Sequence, residues 1–198
     1  MRSQVVSVVT DRPCGAEAVA GVHGIPVVRI DEPDNRLFSD ALLAHCEALG
    51  ADHVVLFFSR LLTGDVLDRY RDRIVNLHPS LLPAFKGFDA LGQARRAGVR
   101  FTGTTVHFID EQADEGRIVL QSVLPVDPDD DPVVLRHRQF EQLCKGLIQT
   151  CQWLEQDRIH VEGGTVRVDG ARFDQPDFAP GLEAASALGL RVPLPVKS

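Results

Sequence analysis

The sequence is poor in the features that mark membrane, secreted and nucleic-acid-binding proteins. No apolar run approaches the roughly 18–20 residues that a membrane-spanning helix needs. The first residues, MRSQVVSVVTDRP, contain no long apolar core of the kind found in signal peptides. A net charge of −7 argues against a broad basic surface for nucleic acid or anionic lipid. We therefore expect a cytoplasmic protein with no nucleic-acid partner and no membrane partner.

The cysteines also lack the spacing of a metal or redox site. Cys14, Cys46, Cys144 and Cys151 form no C-x-x-C pair. Such pairs are typical of zinc and thiol-redox centres, so the sequence predicts no metal site. Reduced, mostly buried thiols are expected instead.

What the sequence does contain is enough apolar material for one well-buried domain. The chain has 198 residues, of which 44% are hydrophobic and 25% charged, as in ordinary globular proteins. There is no internal repeat and no linker-like stretch. We expect a single domain over residues 1–170, followed over residues 171–198 by a C-terminal extension rich in Pro, Ala and Gly that is not a separate domain.

The first half alternates short β-rich runs with amphipathic stretches. Predicted strands are QVVSVVTD, IPVVRI, HVVLFF and RIVNL, and predicted helices are CGAEAVAGVHG, LFSDALLAHCEALG and TGDVLDRY, the last with Thr63 as N-cap. This alternation predicts the α/β class with a doubly wound, mostly parallel sheet. Ligands of such sheets bind beyond the carboxyl ends of the strands.

The second half differs, because its strands follow each other directly. FTGTTVHFI and RIVLQSVLPV are joined by DEQADEG, residues 110–116, and predict a long hairpin. A long amphipathic helix follows from Val133 to about Glu155. Gly163 and Gly164 separate two further β-runs and predict a tight C-terminal hairpin.

The stretch VNLHPSLLP carries the most chemistry. Asn76 and His78 alternate with Leu77 at the end of a predicted strand, so both side chains lie on one face. Pro79 then ends the strand, because it fixes φ and has no N–H. An amide donor beside an imidazole is suited to acyl transfer, in which one group holds an oxyanion while the other moves protons.

A wider pattern resembles a known family. NLHPSLLPAFKG, GTTVHF and DEQADEG occur in the order in which they occur in the folate-dependent formyltransferases, and most closely resemble the glycinamide ribonucleotide formyltransferases. The resemblance implies that a formyl group moves from 10-formyltetrahydrofolate, the formyl donor, to a small-molecule amine acceptor. It assigns Asn76, His78 and Asp114 as catalytic residues. It also assigns a set of folate-binding residues: Arg36, Ser59, Arg60, Leu61, Leu62, Ile109, Asp110 and Ala113. A homodimer is a further expectation, and the C-terminal tail is expected either to cover the open sheet edge or to contact the partner subunit.

One departure from the family leaves alternatives open. Family members begin with a strand, a glycine-rich turn and a helix that bind a substrate phosphate, whereas no G-x-G pattern precedes residue 60 here. The strand over residues 4–11 therefore either pairs with residues 53–58 or leaves a gap between them. The function is either formyl transfer to an amine, hydrolysis of formyltetrahydrofolate, or folate binding by a catalytically degenerate homologue. Pro79 disfavours the hydrolase, because that family carries a second histidine there.

Overall fold

The computed structural model describes residues 3–57 and 60–194. Its strands are β1 Val8–Thr10, β2 Val27–Arg29, β3 Val54–Leu56, β4 Ile74–His78, β5 Phe101–Phe108, β6 Ile118–Pro125, β7 Ile159–Glu162, β8 Thr165–Val168 and β9 Phe178–Ala179. Its helices are α1 Gly15–Val22, α2 Asn35–Leu49, α3 Asp65–Arg69, α4 Ala90–Arg96, α5 Pro132–Glu155 and α6 Ala185–Leu188. None of these helices is long and apolar enough to cross a membrane.

The main sheet has five strands in the order β3-β4-β5-β6-β9. β3 and β4 are parallel, whereas β4-β5, β5-β6 and β6-β9 are antiparallel. The predicted α/β class is confirmed. Within this sheet the parallel pair β3-β4 is connected through α3, and the antiparallel pair β5-β6 is joined by a short loop. The antiparallel pair β4-β5 has α4 in its connection.

β1 and β2 form a separate parallel pair. Of the two arrangements that the sequence left open for β1, pairing with β3 is not seen among residues 3–57 and 60–194. α2 nevertheless links the two sheets, because Val9 of β1 and Leu56 of β3 belong to the same apolar cluster as Phe38 and Leu42 of this helix.

Side-chain capping sets the start of α2. α2 begins two residues earlier than the predicted Leu37, because the Asp34 carboxylate accepts hydrogen bonds from the backbone N–H groups of Arg36 and Leu37. The prediction for Thr63 was wrong. Gly64 is the N-cap of α3, and the Thr63 N–H instead donates to Ser39 Oγ at 2.9 Å.

α5 is the largest single support of the main sheet. It starts at Pro132 behind the Asp131 cap, as the acidic run before it predicts. Gly146 faces the sheet. A Cβ at this position would lie 3.1 Å from side-chain methyl groups of Leu120 and Val106, so these side chains would have to shift by a few tenths of an ångström. Trp153 is fully buried in the same core.

The segment after Gly170 packs on this core. β9 adds to the outer edge of β6, and Gln149 of α5 accepts hydrogen bonds from the backbone N–H groups of Glu183 and Ala184. The helix predicted around residues 181–188 is confirmed but shorter, at Ala185–Leu188. The predicted hairpin over β7 and β8 is confirmed.

Candidate active site

The end of β4 delivers the two polar side chains that the sequence singles out. β4 is paired with β3 on one side and with β5 on the other, and Asn76 lies directly opposite His107 of β5. His78, two residues later, lies opposite Thr105 and is buried. The strand ends at His78, immediately before Pro79.

Asn76 is held by His107. Asn76 Nδ2 and His107 Nε2 are 3.1 Å apart, and His107 Nδ1 lies 2.9 Å from the carbonyl oxygen of Phe108. His107 is only 1% exposed, and this burial lowers the pKa of its imidazole. The neutral ring donates from Nδ1 to Phe108 and accepts at Nε2 from the Asn76 amide. This contact therefore turns the amide nitrogen of Asn76, and not its oxygen, toward His107. The second N–H of Nδ2 stays available to a ligand.

His78 is placed between two oxygen acceptors. Its Nδ1 lies 3.3 Å from Asp114 Oδ1, and its Nε2 lies 3.0 Å from the carbonyl oxygen of Phe85. The carbonyl oxygen of Phe85 can only accept, so Nε2 donates to it, and Nδ1 is the ring nitrogen that faces the Asp114 carboxylate. His78 and Asp114 thus form a pair that can exchange a proton with a group bound nearby.

Two loops meet at Asp114. The Gly87 N–H donates to Asp114 Oδ2 at 2.8 Å, and Lys86 pairs with Glu115 at 2.8 Å. The loop over residues 84–88 is thereby fastened to the acidic loop over residues 110–116. The proximity of Asp114 to His78 agrees with the geometry expected from the sequence, while the catalytic roles stay a prediction.

A glycine closes the acidic loop because the chain returns very close to itself. A Cβ on Gly116 would lie 1.7 Å from the carbonyl oxygen of Phe108, which no side chain can accommodate. Gly116 is the last residue of the DEQADEG motif. The motif therefore ends in the residue type that allows the loop to pass the end of β5.

A buried polar network positions the segment after β4, and the sequence did not reveal it. Thr105 Oγ1 donates to Ser80 O at 2.7 Å and accepts from the Leu82 N–H at 3.1 Å. Gln121 Nε2 donates to Leu82 O, and Gln139 Nε2 to Pro79 O. The available signal was weak: isolated polar residues within otherwise apolar strand and helix patterns.

Of the predicted folate-binding residues, Arg36 lies in the first turn of α2, and Arg60, which follows β3, extends its side chain to the same helix start. Both are engaged by protein groups. Arg60 donates to Asn35 Oδ1 and Pro33 O and lies 4.4 Å over the Phe38 ring. Arg36 pairs with Asp40 at 3.0 Å and lies 3.7 Å from Asp65. Both side chains are exposed enough for a ligand to compete for them.

The two predicted leucines have different environments. Leu62 is buried in the cluster around Ile74, so its side chain is part of the core. Leu61 is half exposed. Ser59, the remaining predicted residue of this stretch, lies outside the described residues.

The other predicted folate contacts follow β5. Ile109 packs against the cluster that contains Leu62, which brings the two predicted stretches into one region. Asp110 is exposed and its Oδ1 accepts the Gln112 N–H, while Ala113 is exposed at the tip of the acidic loop. The structure therefore groups Leu62 with Ile109, and leaves Asp110 and Ala113 at the surface beside Asp114.

A cleft of about 210 Å³ opens next to Asp114. It is lined by Leu82, Pro83, Lys86, Asp114 and Ile118, among others. Its volume is smaller than the roughly 300–1,000 Å³ of typical ligand pockets, so it suits part of a substrate. Among residues 3–57 and 60–194 there is no group of three or more His, Cys, Asp or Glu placed to hold a metal ion.

Comparison with known proteins shows which family this chain resembles. A family model described as formyl transferase matches residues 1–151. Phosphoribosylglycinamide formyltransferase from Haemophilus influenzae is 31% identical over 147 residues, which cover 74% of this chain and 69% of that protein. The namesake from Mycobacterium tuberculosis is 37% identical over 140 residues, covering 69% of this chain and 65% of the relative. The chain thus spans about two thirds of the length of these relatives.

Solved structures agree with the sequence matches. Glycinamide ribonucleotide transformylase 1 from Symbiobacterium toebii superposes with a TM-score of 0.80 at 34% identity, over 83% of this chain and 80% of that one. A formyltetrahydrofolate deformylase from Burkholderia mallei superposes with a TM-score of 0.74 at 29% identity, over 84% of this chain and 60% of that one. The extent of the family match and the identity to curated relatives agree, and the chain belongs to the formyl transferase family.

Proposed function

We propose that this chain transfers a formyl group from 10-formyltetrahydrofolate to a small-molecule amine. The observation that carries the proposal is the arrangement at the end of β4. An amide donor fixed by His107 lies two residues from an imidazole paired with Asp114. Acyl transfer requires these two functions: a donor for the developing oxyanion and a group that moves a proton.

In the proposed reaction the acceptor amine attacks the formyl carbon. A C–N bond forms, the formyl oxygen takes up negative charge, and the free N–H of Asn76 donates to it. Collapse of this intermediate breaks the bond to N10 of tetrahydrofolate. The amine loses one proton and N10 gains one, so the proton relay through His78 and Asp114 balances without another reactant.

The hydrogen bond between His78 and Phe85 has to change when the substrate binds. Its Nε2–H, the donor that would face the substrate carbonyl, donates to Phe85 O in this structure. A bound formyl oxygen has to replace that acceptor, or reach the ring beside it. Movement of the loop over residues 84–88 would therefore accompany substrate binding, together with a change in the Gly87–Asp114 contact.

The proposed donor site lies between the stretch at residues 60–62 and the acidic loop. The shared cluster of Leu62 and Ile109 supports the pterin end here, and the exposed Leu61, Asp110 and Ala113 are available to a ligand. Arg60 and Arg36 are proposed to reach its carboxylate-bearing tail, in competition with their present partners. Ser59 remains part of the proposed donor site.

The proposed acceptor follows from the relatives. The curated relatives are named phosphoribosylglycinamide formyltransferases, which makes glycinamide ribonucleotide the first amine to test. Other amines, including amino sugars, belong in the same panel, so that the assay measures the acceptor preference of this chain.

One assay tests the reaction directly. The protein is incubated with 10-formyltetrahydrofolate, with and without each amine, and tetrahydrofolate release is followed. Amine-dependent release with formation of the formylated amine supports the transferase. Donor binding without turnover for every amine would instead support the degenerate, folate-binding homologue.

The hydrolase is a second candidate, and the likeness to the Burkholderia mallei deformylase favours it. Water would then attack the formyl carbon in place of the amine. The same assay separates the two, because hydrolysis releases formate and tetrahydrofolate without any amine. Pro79 disfavours this outcome, since it stands where the resemblance would require a histidine.

We also propose a homodimer and a reducing cellular compartment, the cytoplasm. Cys14, Cys46, Cys144 and Cys151 are all unpaired, as expected under reducing conditions. Phe173 and Leu188 are exposed on the C-terminal segment, which supports a contact between subunits there. Light scattering at two protein concentrations measures the assembly, and a monomer at both would refute the dimer.

A further inference from the structure

A second cavity, of about 450 Å³, lies at the far end of β5 from the acidic loop. Its lining includes Arg100, which directly precedes β5, whereas the acidic loop over residues 110–116 follows the other end of this strand. At about 3.3 Å per residue, the eight residues of β5 span roughly 25 Å. The cavity shares no lining residue with the cleft beside Asp114, and its volume lies within the roughly 300–1,000 Å³ of typical ligand pockets.

Three exposed arginines line this cavity: Arg95, Arg96 and Arg100. We call it the arginine cavity. Arg96 Nη1 pairs with Asp89 Oδ2 at 3.0 Å. Among residues 3–57 and 60–194, the guanidinium groups of Arg95 and Arg100 have neither an ion pair nor a hydrogen bond. In a chain with a net charge of −7, two unpaired cations on one cavity create a local attraction for an anion.

The acidic side chains beside the arginine cavity have other partners. Asp127, which also lines it, accepts the Asp129 N–H at 2.9 Å. The Asp130 carboxylate accepts the Asp127 N–H at 3.0 Å and pairs with Arg138 at 3.2 Å. Neither of these carboxylates pairs with the two free guanidinium groups, which therefore remain available to a ligand.

The end of α4 does not use its arginines as caps. Basic side chains in a last helical turn often hydrogen-bond to the free carbonyl groups there. Here the backbone supplies the donors instead. The Gly98 N–H donates to Arg95 O at 3.0 Å, and the Val99 N–H donates to Ala94 O at 3.4 Å. Gly98 has a φ of 66°, as this type of helix end requires.

Apolar side chains complete the arginine cavity. Val99, Val126 and Pro128 belong to its lining. The Val126 N–H donates to Arg100 O at 2.9 Å, so the two segments that form the wall are fixed to each other. A guanidinium group binds phosphate oxygens in a bidentate manner and stacks on flat rings. A phosphate alone would fill only part of 450 Å³, so this lining suits a phosphate that carries an organic group.

We propose that the arginine cavity binds a nucleoside monophosphate. Arg95 and Arg100 donate to the phosphate oxygens, and the base lies against Val99, Val126 and Pro128. The site is separate from the residues of the proposed formyl transfer, so its test does not depend on that reaction.

Binding is measured by isothermal titration calorimetry with the whole 198-residue chain. The probes are AMP, inorganic phosphate and adenosine. We expect saturable 1:1 binding of AMP that is at least about tenfold tighter than binding of inorganic phosphate or of adenosine, because each of these two supplies only one part of the ligand. AMP binding should also weaken as the salt concentration rises, since the arginines are exposed.

Arg95→Gln and Arg100→Gln should each weaken AMP binding by at least about tenfold, because each removes charge-assisted hydrogen bonds to phosphate. Both residues are exposed, so the circular dichroism of the variants should match that of the unsubstituted chain. Arg136→Gln is the matched control with the same change in net charge. Arg136 of α5 is exposed and has no partner within the described ranges, but it does not line the arginine cavity, so AMP binding should be unchanged.

Amide chemical shifts locate the bound probe. With AMP we expect changes at residues 92–100 and 126–128. Changes at residues 76–78 and 110–116 instead would place AMP in the candidate active site and overturn the proposal. Equal weakening by all three glutamine variants, AMP binding no tighter than that of inorganic phosphate, or no AMP binding would overturn it as well.

Discussion

Replacing His107 with leucine tests whether the buried imidazole acts through Asn76. The substitution keeps a buried apolar volume but removes the acceptor that lies 3.1 Å from Asn76 Nδ2. A neutral hydrogen bond of this kind contributes about 0.5–1.5 kcal/mol. Full loss of an oxyanion donor costs about 2.7–4 kcal/mol, and that is the upper limit if Asn76 turns away completely. We therefore expect kcat to fall by roughly 10- to 100-fold.

The assay is a double-mutant cycle on formyl transfer with His107→Leu, Asn76→Ala and both together. If His107 acts through Asn76, the second substitution adds little to the first. His107→Gln retains an acceptor and should recover part of the rate. Losses that multiply in the double variant, or a glutamine variant as slow as the leucine one, would refute this reasoning.

Four further outcomes are expected. Asn76→Ala and His78→Ala should each lower kcat at least about 100-fold with the circular dichroism spectrum retained, and near-normal activity in either would oppose the assignment. Asp114→Asn should lower kcat by about 10²–10⁴, since His78 loses its ionic partner; an unchanged rate would remove Asp114 from the proton relay. Truncation after Gly170 should lower the free energy of unfolding by at least about 3 kcal/mol in a urea titration, because buried Phe178 and Leu182 are lost; equal stability would contradict this. Because burial lowers the pKa of His107, stability should decline as the pH falls below about 6.5, and His107→Leu should reduce that decline.

Much of the fold could be read from the sequence, because it rests on local patterns. Hairpin turns and helix periods predicted β5-β6, β7-β8 and α5 to within a few residues. The start of α3 was missed at Thr63, because its hydroxyl caps no backbone N–H of the helix and Gly64 takes the N-cap position instead. Strand order in the first half could not be derived, because both possible arrangements of β1 satisfy the same apolar pattern.

The candidate site also contains both residues that local sequence patterns could predict and contacts that they could not. Asn76 and His78 were accessible to sequence reasoning, because two alternating polar residues before a proline mark a strand end. The role of the loop over residues 84–88 could not be predicted from the sequence. Its contacts join residues far apart in sequence, as in Gly87 with Asp114 and Lys86 with Glu115. No periodicity encodes such contacts.

The position of β4 explains why the polar groups converge there. Among the described strands, β4 is the one with a parallel neighbour on one side and an antiparallel neighbour on the other. The parallel side opens the carboxyl end of the sheet to a ligand. The antiparallel side places His107 directly across from Asn76, and the return from β5 into the acidic loop brings Asp114 to His78. A purely parallel sheet would have supplied the opening but not these opposed partners, so the change of strand direction at β4 is what brings donor, imidazole and carboxylate to one place.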